Sequence, residues 1–535
     1  MKKLSKQLIE AAEDGNFEKV KEFVERGADV NAVGGYFKKT ALMEAVCYGH
    51  FDIVKYLIED HGSNVNTVGK DGKTALIYAA DGGNLDMVKY LIDHGADVDA
   101  VDEYGETALM YAACYGKLDM VKYLIDHGAD VDAVAKVDYE YGKTVLMKAA
   151  GGGNLDMVKC LIDQGADMNA VNEDGYTALM EAAGNGHFEI IKYLIDHGAD
   201  VNAVSECGTA LSYAAKDGNF DIVKYLIEDQ DADVNAVDKY SWTALLSAAE
   251  KGNFDIVKYL IDQGADVNAV GGEDGWTALL WAAWNGNFDM VKYLIEKGAD
   301  VNAEGEDDYT ALTYVAEDGN LDIVKYLIDH GANVNAVNAY DHTALMYVAS
   351  GGNLDMVKYL IEDHRADVNP VTEYNATALM FAAQSGSYEM VKYLVDHGAE
   401  VDAVDKYDMT VLLHVAREGH LDLVKYLIED HGAHVSPVTE DGETALMSAA
   451  IGGNIDMVKY LIKDHSAHVN AVDKHGNTAL MSAAKRGNFD IAKYLIDHGA
   501  DVNAVNTSGR TALMFAAKEG HSDIVEYLRQ KMKKS

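Results

Sequence analysis

The chain has 535 residues, 49% of them hydrophobic, and carries 88 acidic against 45 basic side chains, a formal net charge of −43. Such a charge repels a phosphate backbone or an anionic lipid surface and attracts basic partners, so nucleic-acid and membrane binding are excluded as expectations. Pro370 and Pro437 are the only prolines, no apolar run reaches membrane-spanning length, and the start MKKLSKQLIEAAEDGNFEKV lacks the apolar core of a secretory signal. The expected class is a soluble, intracellular protein. Cys47, Cys114, Cys160 and Cys207 are widely separated and form no C-x-x-C pair, so neither a zinc cage nor a disulfide framework is signalled.

In chain order, the first predicted helix pair lies in KQLIEAAEDGNFEKVKEFVERGADVNAV, Lys6 to Val33. A T-[AV]-L tripeptide then recurs with its threonine at 40, 74, 107, 144, 177, 209, 243, 277, 310, 343, 377, 410, 444, 478 and 511, at intervals of 32 to 37 residues. With the degenerate first copy this makes sixteen units. In the unit 106–134, Thr107 is predicted to cap a helix whose Leu109, Ala112 and Ala113 share one apolar face, with Gly116 at its end. The second helix, LDMVKYLIDH, turns Met120, Val121, Leu124 and Ile125 inward and stops at Gly128. Neither helix can bury its face alone, so the units must stack into a solenoid.

Irregular copies follow along the chain. VAKVDYEYGK lengthens one connection, whose loop is expected to project around Val137 to Tyr141. IEDHGSNVN, IEDQDADVN, IEDHRADVN, IEDHGAHVS and IKDHSAHVN each add one residue after the second helix, expected as small bulges on the outer edge. The chain ends in GHSDIVEYLRQKMKKS, where Lys531, Lys533 and Lys534 suit the negative end of a helix dipole.

The tandem pattern T-[AV]-L-M-x-A-A-x-x-G-[NH], D-[IM]-V-K-Y-L-I and G-A-D-V-[ND]-A resembles the ankyrin repeat over nearly the whole chain. The resemblance implies an all-α solenoid of stacked helix-turn-helix units with finger loops, a concave recognition surface, and a function in binding another protein. On that reading residues 1–33 form an amino-terminal capping repeat, 34–505 fourteen internal repeats and 506–535 a carboxy-terminal cap. Large arrays of this family occur in eukaryotes, their viruses and intracellular bacteria, which makes the expected cytoplasm that of a host cell in the latter two cases. The family's T-P-L-H is T-A-L-M in most copies here. Alanine keeps the helix, and the methionine, present in nine of fifteen copies, is read as core filler.

Three of the four tryptophans lie in WTALLWAAWNG, residues 276–286. With Thr277 as cap, Leu279, Ala282, Ala283 and Gly286 share the stacking face, leaving Trp281, Trp284 and Asn285 opposite, toward the groove. Trp276 and Trp242 immediately precede the cap on successive fingers. The place of Trp281 is held elsewhere by Tyr213, Tyr314, Tyr347 and Phe381, and the pre-cap place by Tyr176, Tyr309 and His342, with Gly208 an exception. Aromatic character therefore peaks in the middle repeats. Trp242, Trp276, Trp281, Trp284, Tyr176, Tyr213, Tyr309, Tyr314, Tyr347 and Phe381 are the expected partner-binding residues, facing solvent as an interaction hot spot. The tyrosine of V-K-Y-L-I, near-constant in fourteen copies (for example Tyr56, Tyr90, Tyr123 and Tyr225), reads instead as scaffold.

No catalytic constellation emerges. Gly72-Lys73-Thr74 and Gly142-Lys143-Thr144 lack the earlier glycine of a phosphate loop, those places being Thr67 and Val137. The histidines of D-H-G, such as His94, His127, His197 and His330, lie on different repeats and cannot share a metal, so they read as solvated helix ends. No cofactor, metal or enzymatic activity is expected, and the chain reads as a monomer. Leu-x5-Asp-Val-Asn segments at Asn202, Asn268 and Asn503 are similar to hydroxylated ankyrin asparagines, yet a turn-bracing role is preferred. The expected function is a non-catalytic scaffold gripping a basic protein or peptide in an aromatic, acidic-flanked groove. The alternative is an acidic decoy that sequesters basic nucleic-acid-binding proteins.

Overall fold

Each repeat threonine starts a helix in the same way. Thr107 is extended (φ −93°, ψ 165°), and the Met110 N–H donates to its Oγ1 at 3.3 Å, which satisfies a backbone donor the helix leaves open. The helix Ala108–Cys114 then buries Ala108, Leu109, Met110, Ala112 and Ala113. After Gly116 the second helix, Leu118–Asp126, buries Met120, Val121 and Leu124, with Ile125 half-buried. Gly128 closes it at φ 94°, a left-handed conformation that costs glycine little, and the Ala129 N–H donates to the Leu124 carbonyl at 3.0 Å.

The computed structural model describes residues 2–135, 142–434 and 439–533. Among these, thirty-two helices from Lys2–Glu13 to Ser522–Met532 form sixteen pairs, with one two-stranded hairpin, Val204–Ser205 with Gly208–Thr209. The fold is the all-α solenoid expected from the repeats. It divides into two units, residues 1–273 and 274–535. Within each, first helices pack on the first helices of neighbouring repeats and second helices on second helices. The loop expected to project at Val137 to Tyr141 lies outside the described residues, as does Lys534.

Asparagines at the third place of D-V-N and its variants stitch successive repeats. Asn169 donates from Nδ2 to the Gly198 carbonyl (3.2 Å) and accepts the Asp200 N–H at Oδ1 (2.8 Å). Asn66, Asn302, Asn369 and Asn470 make the same pair of bonds, and Asn202 accepts from Asp233 at 2.9 Å. The bracing role is what the amide geometry requires, because one side chain has both a donor and an acceptor to offer.

The one-residue insertions are handled in two ways. In three copies the second helix itself widens into a π turn, at Tyr56–Asp60, Tyr359–Asp363 and Tyr426–Asp430, rather than bulging after its end. In the other two the helix stays regular, and in all five the residue before the anchor is left-handed: Gly62, Asp231, Arg365, Gly432 and Ser466, at φ 51–67°. All five keep one anchor. Ser63, Ala232, Ala366, Ala433 and Ala467 donate to the leucine carbonyl six residues back, each at 2.9 Å, where ordinary copies span five. The extra residue is absorbed inside that closed ring, so the packing on either side is unchanged.

Eight of the nine repeat methionines are core as expected, 0–3% exposed. Met514 is the exception, 53% exposed. The V-K-Y-L-I tyrosines are scaffold. Tyr90 packs edge-on to Phe51 (5.2 Å) and Tyr225 to Phe188 (5.2 Å), and the Tyr90 and Tyr259 hydroxyls donate to Glu59 and Glu228 of the preceding repeat. The D-H-G histidines do more than end helices in water. His127 stacks on Tyr123 at 3.9 Å, and its Nδ1 hydrogen-bonds to the Tyr123 carbonyl at 2.8 Å, an oxygen that can only accept, so the proton sits on Nδ1.

Candidate protein-binding face

Two residues per repeat build the face: the one before the capping threonine, on the finger, and the fourth after it, on the first helix. In the carboxy-terminal unit these are Trp276 with Trp281, Tyr309 with Tyr314, His342 with Tyr347, and then Phe381. The finger ring does not stand beside its helix partner in open solvent. It folds over and packs between that ring and the next repeat's. Trp276 stacks on Trp281 (4.2 Å, 24°) and on Tyr314 (5.2 Å, 23°). Tyr309 stacks on Tyr314 (4.8 Å, 25°) and lies 6.0 Å from Tyr347, where the two hydroxyls hydrogen-bond. His342 lies between Tyr347 (5.5 Å) and Phe381 (5.6 Å). Seven rings thus form one interleaved row across four repeats.

This corrects the expectation that the helix-position aromatics face solvent. Tyr314 is buried, only 7% exposed, because Trp276 and Tyr309 cover its two sides and Trp284 meets it edge-on at 5.3 Å. Trp276, Trp281, Tyr309, Tyr347 and Phe381 are half-buried. Burial, and then the carboxylates of Glu306, Asp307 and Asp274, pushes the Tyr314 phenol up to about 12, so it stays neutral. The ring that does face outward is Trp284, 53% exposed, held edge-to-face by both Trp276 and Tyr314 at 90°.

The amino-terminal unit uses the same two positions with other chemistry. Lys39 pairs with Glu44 (3.4 Å) and lies over the Tyr78 ring of the next repeat (4.5 Å), and Lys73 lies over Tyr111 (4.3 Å). Glu106 reaches Lys148, Lys143 reaches Glu181 (2.7 Å), and Tyr176 meets Tyr213 edge-on (4.9 Å, 88°). Trp242 is half-buried, its backbone N–H held by Asp238 Oδ1 at 2.9 Å. A Cβ added at Gly271, on the next finger, would stand 3.3 Å from the Trp242 ring and 2.6 Å from Leu246.

Two sets of residues escaped the sequence. In several repeats a buried polar side chain at the base of the finger shapes the loop, and in some it also holds the helix ring. Asp102 accepts from the Tyr104 and Glu106 N–H groups and from the Tyr111 hydroxyl (2.8 Å), and Asn338 donates to the Tyr347 hydroxyl (3.0 Å). The second set is a line of exposed fingertip tyrosines, Tyr340, Tyr374 and Tyr407, with Lys406 over Tyr374 at 3.7 Å. Their signal was present as Tyr-Asp or Tyr-Asn at a fixed distance before the threonine: Tyr340-Asp341, Tyr374-Asn375 and Tyr407-Asp408. Asp341, Asn375 and Asp408 sit at φ 54–58°, where short polar side chains tolerate the left-handed conformation.

Among the described residues no His, Cys, Asp and Glu grouping could hold a metal ion, and no helix is long and apolar enough to cross a membrane. The family model for ankyrin repeats in three copies matches residues 6–69, 61–135, 133–205, 312–405, 402–473 and 465–535. A second, for ankyrin repeats in many copies, matches 185–227, 211–261 and 245–295. No curated protein matches the chain.

Proposed function

The chain belongs to the ankyrin-repeat family, a generally non-catalytic class of protein–protein interaction modules, and we propose that it binds a basic protein or peptide with Trp284 as the anchor. The supporting observation is the posture of that indole. Trp284 is half exposed, yet braced at right angles by two rings that are themselves locked in the stacked row. A rigid aromatic of this kind buries area on a partner at little entropic cost. Asp274, Glu306 and Asp307, close enough to raise the Tyr314 phenol, supply the negative field that draws a cationic ligand.

The test is affinity capture with the intact chain beside Trp284→Ala. Trp281 is left alone, since it belongs to the row. The expected result is loss of the partner, with helicity by circular dichroism unchanged; recovery of the same partners by both proteins sinks the assignment. The charge of −43 favours a second reading, a decoy for basic nucleic-acid-binding proteins. Salt separates the two, because charge-only binding collapses between low and moderate ionic strength and an aromatic grip persists.

A further inference from the structure

The row of finger residues has a gap at Gly208. The interval from Thr177 to Thr209 is 32 residues, the shortest in the chain, and its finger is a tight hairpin with Glu206 and Cys207 at the tip. The residue that elsewhere folds over the helix is here Gly208, at φ 135°; a Cβ on it would meet Ser212 at 3.0 Å and Tyr213 at 3.9 Å. Both the missing residue and the missing side chain leave space between the longer neighbouring fingers. That space is a cavity of about 410 Å³.

Its walls have a definite chemistry. Asp174 and Tyr176 come from the finger before, Glu206 and Cys207 from the short hairpin and Tyr240 from the finger after, while Tyr213 and Glu181, the latter with Lys143 beside it, form the floor. Asn172 Oδ1 accepts the Asp174 and Tyr176 N–H groups (3.1 and 2.7 Å), which fixes those two side chains' attachment points. The Glu206 N–H donates to the Asp174 carbonyl at 2.7 Å, so the two acidic tips are tied together. Lys143 pairs with Glu181 at 2.7 Å and Lys239 with Glu206, whereas the Asp174 carboxylate has no cation among the described residues. Burial raises the Tyr176 and Tyr213 phenols, with Glu181 adding to it, so both rings are neutral. Three tyrosine rings and a surplus of carboxylate in one cleft match a planar cation, which can stack on a ring while its N–H fork meets an acid.

We propose that this cavity receives an arginine side chain of the basic partner. The proposal rests on the binding function above and deepens it by assigning a second contact, in the amino-terminal unit. Guanidinium meets the requirements better than ammonium because it is flat, always charged and weakly hydrated. The Asp174 carboxylate takes the fork, and the edge-to-face pair Tyr176 and Tyr213 offers the stacking surface.

Calorimetric titration of the full chain with acetyl-arginine methylamide tests it, with acetyl-citrulline methylamide as the neutral look-alike. Saturable one-site binding of the arginine probe is expected, weakened about fivefold or more in Asp174→Asn, which removes the charge-assisted contact, and in Glu206→Gln, which leaves Lys239 uncompensated beside the cleft. Asp322→Asn with Asp355→Asn, at exposed positions of the other unit, removes equal or greater charge and should leave the affinity unchanged. Absence of saturable binding, equal binding of citrulline, or equal weakening by the control pair would each overturn the cage. Partner capture through Trp284 is read separately. Loss of arginine binding with capture intact removes the cage alone, and the reverse removes the anchor alone.

Discussion

His342 shows how an environment sets what a residue can do. Its ring lies between Tyr347 and Phe381, and its Nδ1 is buried without a hydrogen-bond partner among the described residues. Burial lowers its pKa from the ordinary 6.5, against the opposing pull of Glu373 and Asp341. A depressed histidine means that the unfolded chain takes up a proton first. The associated stability is therefore complete above about pH 6.5 and drains away as the pH falls below it. Amide protection factors of this repeat, corrected for the intrinsic slowing of exchange with falling pH, should drop between pH 7.5 and 5.5 in the wild type and less in His342→Phe; an equal drop in both excludes the mechanism.

At the scale of the element, capping and core were readable because they depend on local chemistry. Threonine accepts a backbone N–H, Leu and Ala recur every third and fourth place, and Gly128 closes a helix whatever surrounds it. Three features were not readable. That the finger side chain folds onto two helices depends on the neighbouring repeat, so nothing in the eleven residues 276–286 announces that Tyr314 is covered. The π turns depend on how the spare residue is absorbed within the ring closed on the leucine carbonyl: IEDHGSNVN and IEDQDADVN carry the same insertion and resolve it differently. The finger-base acids look like solvated loop residues until the tyrosine hydroxyl above them is placed. The stacked row carries its own expectation. Trp276→Ala removes two stacking contacts and a half-buried ring and should cost about 2–4 kcal/mol, whereas Trp284→Ala should cost about 1 kcal/mol. Urea denaturation monitored at this region would show it; equal losses would mean that the row does not bear on stability.

For the whole molecule, 88 acids against 45 bases outweigh the ion pairs that the chain forms. Most of those pairs are surface contacts, such as Lys258 with Asp255 and Lys459 with Asp456, and are worth little individually. Net self-repulsion is what salt screens first, so the melting temperature should rise between about 20 and 150 mM NaCl. A fall over that range would show that local pairing outweighs the repulsion. Such a charge favours cationic ligands in general, so on the proposed function the specific contacts come from local shape: the outward indole of Trp284 and the gap at Gly208.

The shared finger position has a genealogical consequence. Several boundaries are couples made of halves from two modules: lysine over tyrosine at 39 and 78, glutamate to lysine at 106 and 148, indole on phenol at 276 and 314. A single module copied and spliced elsewhere would arrive with two broken couples. Arrays of this kind can therefore lengthen by duplicating runs of modules with their partners, and the order of their units is itself inherited information.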